Sequence, residues 1–409
     1  ATGESSTGGA SVWAVHQHGQ VVRYDVTTAA DELLLTATSQ IELRRSLPED
    51  ELYNLGVLPV ARPTRALACA VAKSGPKPRI VIPHVVAHPG RPTASFSKTE
   101  IQDDCGGFAY YGCVTKVVTT GVNAMQQPDL VRPVACTVSA ITGSGLVPSM
   151  PLPPVLDGPT GEPVHWLVDS PSAIAVDPSG RFLFVTGEGS DNVLVYAQTL
   201  NDPASQPIAI IDVGEAPTGV VVTPEGDVLY VLDSHGMGLS RVALAPLLAL
   251  PPMAPTAPLR LLRDARARFG DDVVAPDLRA GRRLFHFARV PGISGGRFAC
   301  ATCHVEGGED RLVWEVAAGP RQTPALAERI EGTEPFNWKG TAPTLEENIL
   351  ITIGRLGGEG VEPALLADLA TFTTYGLERR PGPRAKIENG SPEAGQAIFF
   401  DPTVGCSGC

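Results

Sequence analysis

A stretch of strand-like sequence occurs twice in the middle of this chain, with a spacing of 46 residues between the copies. The first copy is Pro171–Val185 and the second is Pro217–Val231. In each copy, two runs rich in β-branched and aromatic residues flank a turn of the form Pro-x-Gly, which predicts a β-hairpin. A period of about 40–50 residues made of short strands is typical of the blades of a β-propeller. The repeat therefore predicts a turn-rich, mostly-β domain built from stacked blades.

The two copies resemble the YVTN-type (lactonase-like) β-propeller repeat, in which a segment Val-x-Pro-x-Gly-x-x-Leu-Tyr-Val recurs. Other segments fit parts of such blades: a strand at Asp191–Tyr196, a weaker hairpin at Pro63–His84 with Gly75 at its turn, and a strand pair at Val12–Val15 and Val21–Tyr24. Three to four blades can be counted in this way, which is fewer than a closed propeller usually has.

The propeller-like domain is predicted to occupy residues 1–250. An insertion at about 87–128 breaks the repeat, and Val134–Val138 is predicted to be the strand that resumes it. Four cysteines outside the C-x-x-C motifs form an even set with three possible pairings. These are Cys69, Cys105, Cys113 and Cys136, of which Cys105 and Cys113 are predicted to staple the insertion. The alternative is four buried free thiols.

A Pro-rich linker at 251–262 is predicted to separate this domain from a second one at 263–409. Leu259–Phe269 is predicted to form a basic helix, and Pro363–Tyr375 an amphipathic one. The second domain is therefore expected to be mostly helical and rich in loops.

The second domain carries the motif Cys300-Ala301-Thr302-Cys303-His304. Two thiols at this spacing, followed directly by a histidine, match the covalent attachment motif of a c-type haem. Two thioether bonds fix the macrocycle, and the imidazole of His304 is then close enough to be the proximal ligand of the iron. The alternatives are a Cys-x-x-Cys redox pair, which usually sits at a βα junction, and half of a zinc site, which needs two more ligands nearby.

Cys406 and Cys409 form a second pair at the same spacing. A Gly-x-x-[Leu/Ile]-Phe sequence precedes both pairs, at Gly281–Phe285 and at Gly395–Phe399. The repeat predicts two related haem modules, of which the second lacks a histidine. Because a haem c needs a proximal imidazole, we expect the polypeptide to continue beyond Cys409 with a histidine. The alternative is a terminal disulfide.

Charge and cysteine usage limit the partners and the compartment. Lys and Arg number 32 against 44 Asp and Glu, and the resulting net charge of -12 argues against a nucleic-acid partner. No apolar run approaches the roughly twenty residues needed to span a bilayer. Covalent haem attachment and disulfides both favour export to a bacterial periplasm or to the cell exterior.

From about Ala280 to Cys409 the sequence resembles the di-haem cytochrome c peroxidase and MauG-type superfamily. The matching segments are Leu284-Phe285, the haem motif, Arg321-Gln322-Thr323-Pro324, Phe336-Asn337-Trp338-Lys339-Gly340 and Thr344-Leu345-Glu346-Glu347-Asn348. The resemblance implies that Trp338 lies between two haems and relays electrons. The alternative is that Trp338 is a core residue.

Several positions depart from the pattern of that superfamily. Asn348 stands where the family has a glutamine over the open haem face, and Glu359 is the nearest carboxylate to the position of its glutamate. For the sixth iron position, one hypothesis is an open site that binds peroxide or another small ligand, and the other is ligation by His286. Gln322 replaces an asparagine that contributes to a calcium site, so the resemblance also implies calcium as a candidate ion.

The leading expectation is an exported multi-haem c-type cytochrome with oxidoreductase activity of the di-haem peroxidase class, which oxidises a partner protein or substrate docked on the propeller. The alternative is a non-catalytic electron-transfer or structural cytochrome in which the propeller is a binding or assembly module within an oligomer. A hydrolytic, lactonase-like activity has no supporting catalytic residues in the sequence.

Overall fold

The computed structural model describes residues 2–4, 10–15, 20–29, 32–42, 62–64, 68–72, 79–87, 134–142, 145–147, 169–197, 207–250, 259–294, 299–316, 319–356, 358–378 and 390–408. The strands are β1 (Thr2–Glu4), β2 (Ala10–Val15), β3 (Gln20–Ala29), β4 (Glu32–Glu42), β5 (Arg62–Thr64), β6 (Ala70–Ala72), β7 (Arg79–Ala87), β8 (Val134–Thr142), β9 (Gly145–Val147), β10 (Pro171–Val176), β11 (Phe182–Gly187), β12 (Asn192–Ala197), β13 (Pro207–Asp212), β14 (Pro217–Val222), β15 (Val228–Asp233), β16 (Gly238–Ala243), β17 (Leu259–Leu262), β18 (Ala265–Arg268), β19 (Val313–Val316) and β20 (Gly319–Gln322). The α-helices are α1 (Ala245–Leu248), α2 (Pro276–His286), α3 (Pro291–Ser294), α4 (Cys300–Cys303), α5 (Leu345–Arg355), α6 (Pro363–Tyr375) and α7 (Pro392–Phe400), and 3₁₀ turns occur at Val305–Gly307 and Cys406–Gly408.

The strands before residue 269 form four sheets in the described part of the chain. Their strand orders are β1-β2-β3-β4, β5-β7-β8-β9 with β6 also paired to β7, β10-β11-β12-β13-β17, and β14-β15-β16-β18. Consecutive strands pair antiparallel, and β17 joins β13 in parallel. Four-stranded sheets of consecutive strands are the unit of a β-propeller, so this region is propeller-like.

The backbone follows the sequence repeat residue by residue. Three positions with positive φ in the first copy return 46 residues later in the second, which confirms the predicted repeat as a structural one. The pairs are Ser170 and Ala216 (φ 54 and 50), Gly180 and Gly226 (φ 72 and 77), and Asp191 and Met237 (φ 55 and 45). The predicted Pro-x-Gly hairpins are β10–β11 and β14–β15.

Polar side chains close the turn of each hairpin. Asp177 accepts hydrogen bonds from the backbone of Ser179 and Phe182 at 3.0 and 2.6 Å. In the second copy, the Thr223 hydroxyl accepts one from the backbone of Val228 at 3.2 Å. Below the turns, apolar residues of the two sheets share one core, which includes Phe184, Val195, Ile211, Leu229 and Val242.

The helix predicted at Leu259–Phe269 is wrong. This segment forms β17 and β18, the edge strands of two neighbouring sheets, so the propeller-like region continues to Arg268. The physical reason lies in the period of the sequence: Ala265-Arg266-Ala267-Arg268 alternates with period two, which suits a strand at a sheet edge.

The remainder of the described chain is mainly helical, as predicted. Helix α6 has the expected bounds and buries Leu366, Leu369 and Phe372, whereas the adjacent Leu365 is exposed. It packs against α2 at Gly281, where an added Cβ would lie 2.0 Å from the carbonyl oxygen of Asp368. Helix α7 buries none of its residues in the described structure. No helix of the described residues is long and apolar enough to cross a membrane.

Helix α2 ends against the turns of two propeller sheets. The Arg283 guanidinium donates to Asp191 at 2.5 Å, and the backbone N–H of Ala288 donates to the Gly189 carbonyl at 2.7 Å. The ring of His286 lies edge-on to that of His235, with 4.8 Å between the ring centroids. The helical region is therefore packed directly on the propeller-like region.

Several predicted features lie outside the described residues. They are the insertion at 87–128 with Cys105 and Cys113, the turn at Gly75, most of the Pro-rich linker and Cys409. The predicted strand at Val134–Val138 is part of β8, and the side chain of Cys136 on it is not described. The disulfide pairing stays a prediction.

Candidate haem site

The two thiols lie at the ends of the one-turn helix α4, and His304 follows it. The backbone N–H of Ala299 donates to the Thr302 hydroxyl at 3.0 Å, which closes the start of the helix. Ala301 and Thr302 are buried, whereas Cys300 and Cys303 are half-buried. The motif thus packs its two middle residues inward and presents both thiols and the imidazole to a neighbouring cavity.

This cavity has a volume of about 380 Å³ and is lined by Cys300, Cys303 and His304 together. Most of its other walls are apolar and come from α2, α3, α5, α6 and the loop before α5. They include Phe285, Ile293, Leu326, Leu345, Ile353 and Leu369. A mostly apolar pocket with a few converging polar groups is the usual form of a cofactor site.

His304 is held in one tautomer. Its Nδ1 lies 2.9 Å from the carbonyl oxygen of Pro324, which can only accept a hydrogen bond. A proton on Nδ1 leaves Nε2 as the basic nitrogen, the arrangement usual for a metal-bound imidazole. Burial lowers the pKa of His304 to about 4, against the opposing effect of hydrogen bonds to the Pro324 and Gly308 carbonyls. The ring is therefore neutral at neutral pH, as a metal ligand must be.

The thiols do not resemble those of a redox pair. Burial raises the pKa of Cys300 to about 11. Burial also raises the pKa of Cys303, with added effects from the negative charges of Asp310 and Asp169. Redox-active cysteines need a lowered pKa, so these positions favour attachment over thiol–disulfide exchange. Among the described residues, no group of three or more His, Cys, Asp or Glu side chains is placed to hold a metal ion.

Three cationic side chains also line the cavity: Arg321, Lys339 and Arg355. The Nε of Arg355 is buried and finds no hydrogen-bond partner in the described part of the chain. Burial lowers the pKa of Arg355, and the charge of Arg321 lowers it further. A buried donor without an acceptor is costly, and a carboxylate of a haem would supply an acceptor for this Nε. The two thiols, the imidazole, the apolar walls and the unsatisfied Nε of Arg355 fit a covalently attached haem.

Trp338 lies in the wall between two cavities. It lines the first together with Gln322, and both also line a second cavity of about 510 Å³. A tight turn presents the indole: Asn337 has a φ of 66°, and its Oδ1 accepts from the backbone of Lys339 at 2.8 Å. The Arg321 guanidinium carbon lies 5.8 Å from the ring centroid of Trp338. Trp338 is 63% exposed, so it is not a core residue in the described structure.

Gln322 lies beside a carboxylate. Its Nε2 donates to Glu309 at 3.0 Å, and both residues line the second cavity. This places a carboxylate and an amide oxygen, the types of ligand that calcium takes, on one wall. A calcium ion here stays a prediction.

The remaining predicted residues are dispersed. Asn348 is half-buried on α5 and lines the first cavity. Glu359 is exposed and does not line it. His286 lies outside it as well, with Nδ1 at 3.6 Å from Glu188 on the propeller side, so the geometry gives no support to His286 as an iron ligand. Cys406 is exposed on a 3₁₀ turn, and its partner Cys409 lies outside the described residues.

No family model and no curated protein matches this sequence. Among solved structures, the chain is similar to Kuenenia stuttgartiensis hydrazine synthase, with 12% identity and a TM-score of 0.35 over 59% of this chain and 57% of that one. It is similar to the Pseudomonas aeruginosa periplasmic gluconolactonase, with 12% identity and a TM-score of 0.33 over 67% of this chain and 58% of that one. The β-propeller domain of Myceliophteria thermophila Cps50 (Swd1) matches at 11% identity and a TM-score of 0.28, over 65% of this chain and 70% of that one.

The aligned region therefore spans little more than half of the first two of these chains. The TM-scores are low, and the description of the β region as propeller-like rests on its own strand order.

Three residues of the site escaped the sequence analysis. Trp314 lines the cavity, and its indole N–H donates to Asp310 at 2.8 Å. Burial raises the pKa of Asp310, and hydrogen bonds from the Leu312 backbone and from the Thr323 and Trp314 side chains offset part of the effect. Arg355 also lines the cavity. Lone Trp, Asp and Arg residues carry no motif, and their place at or beside this cavity follows from the fold.

Proposed function

We propose that this protein is an exported c-type cytochrome that acts as an electron-transferring oxidoreductase. Haem c is attached at Cys300 and Cys303, and His304 is its proximal ligand. The observation that carries the proposal is the hydrogen bond from His304 Nδ1 to the Pro324 carbonyl, in a cavity that both thiols also line. That bond leaves Nε2 as the nitrogen that would bind the iron.

When bound, haem supplies a one-electron couple. In this cavity His304 would supply a nitrogen to the iron, the apolar walls would exclude water, and Arg321, Lys339 and Arg355 would bind the haem carboxylates. Trp338 lies in the wall shared by the two cavities and would shorten the path of an electron that leaves the first haem. The second haem belongs to the module of α7 with Cys406 and Cys409, and calcium is held near Gln322 and Glu309.

Peroxidase-like catalysis is the second candidate, and the position of Asn348 in the cavity favours it. Glu359 lies outside the cavity, so it does not supply the acid–base group expected by resemblance. Electron transfer is therefore the better supported reaction, with a redox partner protein or substrate that binds to the propeller. The protein acts in the periplasm or outside the cell, alone or as part of an oligomer.

The test is expression of the chain in a bacterial periplasm with a c-type haem maturation system. Haem that stays on the polypeptide after denaturation, and that is lost in the double variant Cys300→Ala, Cys303→Ala, supports the proposal. Thr302→Ser, which keeps both thiols and the imidazole, serves as the control and retains haem. A wild-type protein without covalent haem overturns the proposal. For haem-loaded protein, EPR of the ferric state and mixing with peroxide separate the candidates: high-spin iron that reacts rapidly indicates the peroxidase, and inert low-spin iron indicates the electron carrier.

A further inference from the structure

A carboxylate of the propeller contacts the haem-attachment motif. Asp169 lies just before the first repeated hairpin, 133 residues from Thr302 in sequence, yet the Thr302 hydroxyl lies 3.0 and 3.1 Å from its two carboxylate oxygens. The Ser170 hydroxyl donates to the same carboxylate at 2.8 Å. Asp169 and Thr302 are each 2% exposed. The contact is therefore a buried one between the two regions of the molecule.

The loop around Asp169 is closely fitted to it. The Asp169 backbone N–H donates to the Ser190 hydroxyl at 3.0 Å, and its carbonyl accepts from the Gly189 backbone at 3.0 Å. A Cβ at Gly189 would lie 2.1 Å from the carboxylate. No side chain fits at Gly189 without displacing the carboxylate, so the neighbouring turn holds Asp169 in the direction of Thr302.

The blade itself does not require this burial. In the second copy of the repeat, 46 residues later, the position of Asp169 is taken by Glu215, which is exposed. The two copies share their backbone conformation at this point, since Ser170 and Ala216 both have positive φ. At this position of the repeat, a buried carboxylate occurs only in the copy that touches the motif, which favours a role toward the motif rather than within the blade.

We propose that Asp169 is a positioning residue through which the propeller sets the geometry and the reduction potential of the haem at Cys300 and Cys303. The inference rests on the proposed function. Thr302 lies between the two thiols, directly before Cys303 and two residues before His304, so a hydrogen bond at its hydroxyl fixes the segment that carries all three. A negative charge buried beside the motif would also stabilise the oxidised haem relative to the reduced haem.

The experiment compares haem-loaded full-length variants by spectroelectrochemical titration. Asp169→Asn keeps the size of the side chain and removes its charge, so the reduction potential is expected to rise. Thr302→Val keeps the charge and removes the donor that partly neutralises it, so the potential is expected to fall. Thr302→Ser restores the hydroxyl and the wild-type potential. Asp177→Asn is the matched control, because Asp177 is a buried aspartate of the same blade that bonds only within its own hairpin turn among the contacts described, and it leaves the potential unchanged.

Shifts of opposite sign in Asp169→Asn and Thr302→Val support the inference, because mere loosening of the interface moves both in one direction. Equal potentials, shifts of the same sign, or an equal shift in Asp177→Asn overturn it while the proposed function stands. If Asp169→Asn does not fold, the Thr302→Val and Thr302→Ser pair decides in the same way. Wild-type protein without covalent haem overturns the proposed function and this inference together.

Discussion

The indole N–H of Trp314 donates to a carboxylate oxygen of Asp310 at 2.8 Å, and Asp310 is only 3% exposed. The same N–H lies 2.9 Å from the Thr323 hydroxyl, on the segment that leads to Pro324 and so to the partner of His304. This contact ties one wall of the cavity to the backbone that orients the imidazole.

Replacement of Trp314 by phenylalanine is expected to destabilise the protein. The variant leaves a buried carboxylate without one of its donors, which costs about 1–3 kcal/mol. Trp338→Phe is the matched control: Trp338 is 63% exposed, so its loss changes the free energy of unfolding by no more than about 0.5 kcal/mol. Urea unfolding of the two variants measures both values. Equal destabilisation by the two changes contradicts the role given to the Trp314–Asp310 bond.

Stability is expected to fall as the pH drops below neutral because of His235. Burial lowers the pKa of His235 to about 3, the charges of His286 and Arg282 lower it further, and Glu188 acts in the opposite direction. Between the unfolded pKa near 6.5 and this value, the unfolded chain binds the proton and the folded one does not. The free energy of unfolding therefore decreases with falling pH, by at most about 1.4 kcal/mol per unit for one such group.

The variant His235→Asn removes this dependence. Its free energy of unfolding, measured by urea titration at intervals from pH 7.5 to pH 4, should fall less steeply than that of the wild type. Above pH 7 both forms carry no charge at this position, so the two curves should run parallel there, which is the internal control. Parallel curves over the whole range would show that His235 is not the group responsible.

Local sequence patterns predicted the hairpins of the blades. The prediction failed where strands pair with partners that are distant in sequence. The Pro-x-Gly turns and the positive φ at Gly180 and Gly226 follow from residues adjacent in sequence. The pairing of β17 with β13 places Leu259 opposite Ala209, on the other side of the Pro-rich segment. The residues near Leu259 do not indicate which strand it pairs with. The segment was predicted to be a basic helix, but it forms strands because it pairs with the edges of two sheets.

The residues of the candidate site also fall into two groups: those that the sequence indicates and those that only the structure brings to the site. The thiols and His304 form one motif that can be recognised in the sequence. The Gly-x-x-[Leu/Ile]-Phe turn of helix that precedes them can be recognised as well. The carbonyl of Pro324 and the carboxylate of Asp169 contact the motif from two other segments, and Arg355 lines the same cavity from a third. Their chemistry is ordinary until the fold brings them together, so sequence alone could not select them.

The two Gly-x-x-[Leu/Ile]-Phe helices offer a direct comparison. An Ala at Gly281 would place a Cβ 2.0 Å from the Asp368 carbonyl oxygen and 2.5 Å from the Cβ of Phe372, so Gly281→Ala must push α2 away from α6. Overpacking of this kind costs about 1–3 kcal/mol.

Gly395 holds the same place in α7 and has no atom within 4 Å of an added Cβ among the described residues. Gly395→Ala should therefore be neutral or stabilise the helix by up to about 1 kcal/mol. Thermal unfolding followed by circular dichroism compares the two, and a similar loss in both would contradict the packing described at Gly281.

Arg355 should have opposite effects on the haem-free and haem-loaded protein. Without haem its Nε is buried and has no hydrogen-bond partner among the described residues, so Arg355→Met removes a partly desolvated cation and should leave the unfolding free energy unchanged or raise it. With haem attached, the same change deprives a haem carboxylate of its cation, so the variant should unfold at lower urea concentration than the wild type. Arg263→Met, at an exposed arginine between β17 and β18, is the control and should change the stability of neither form.

The measurement is urea unfolding of each variant in both forms. The haem-free form is made by combining each variant with Cys300→Ala and Cys303→Ala. A loss of stability in the haem-free protein alone would mean that Arg355 stabilises the fold of the cavity rather than a group bound inside it. Only a bound anion can make the contribution of this guanidinium to stability larger in the haem-loaded protein than in the haem-free protein.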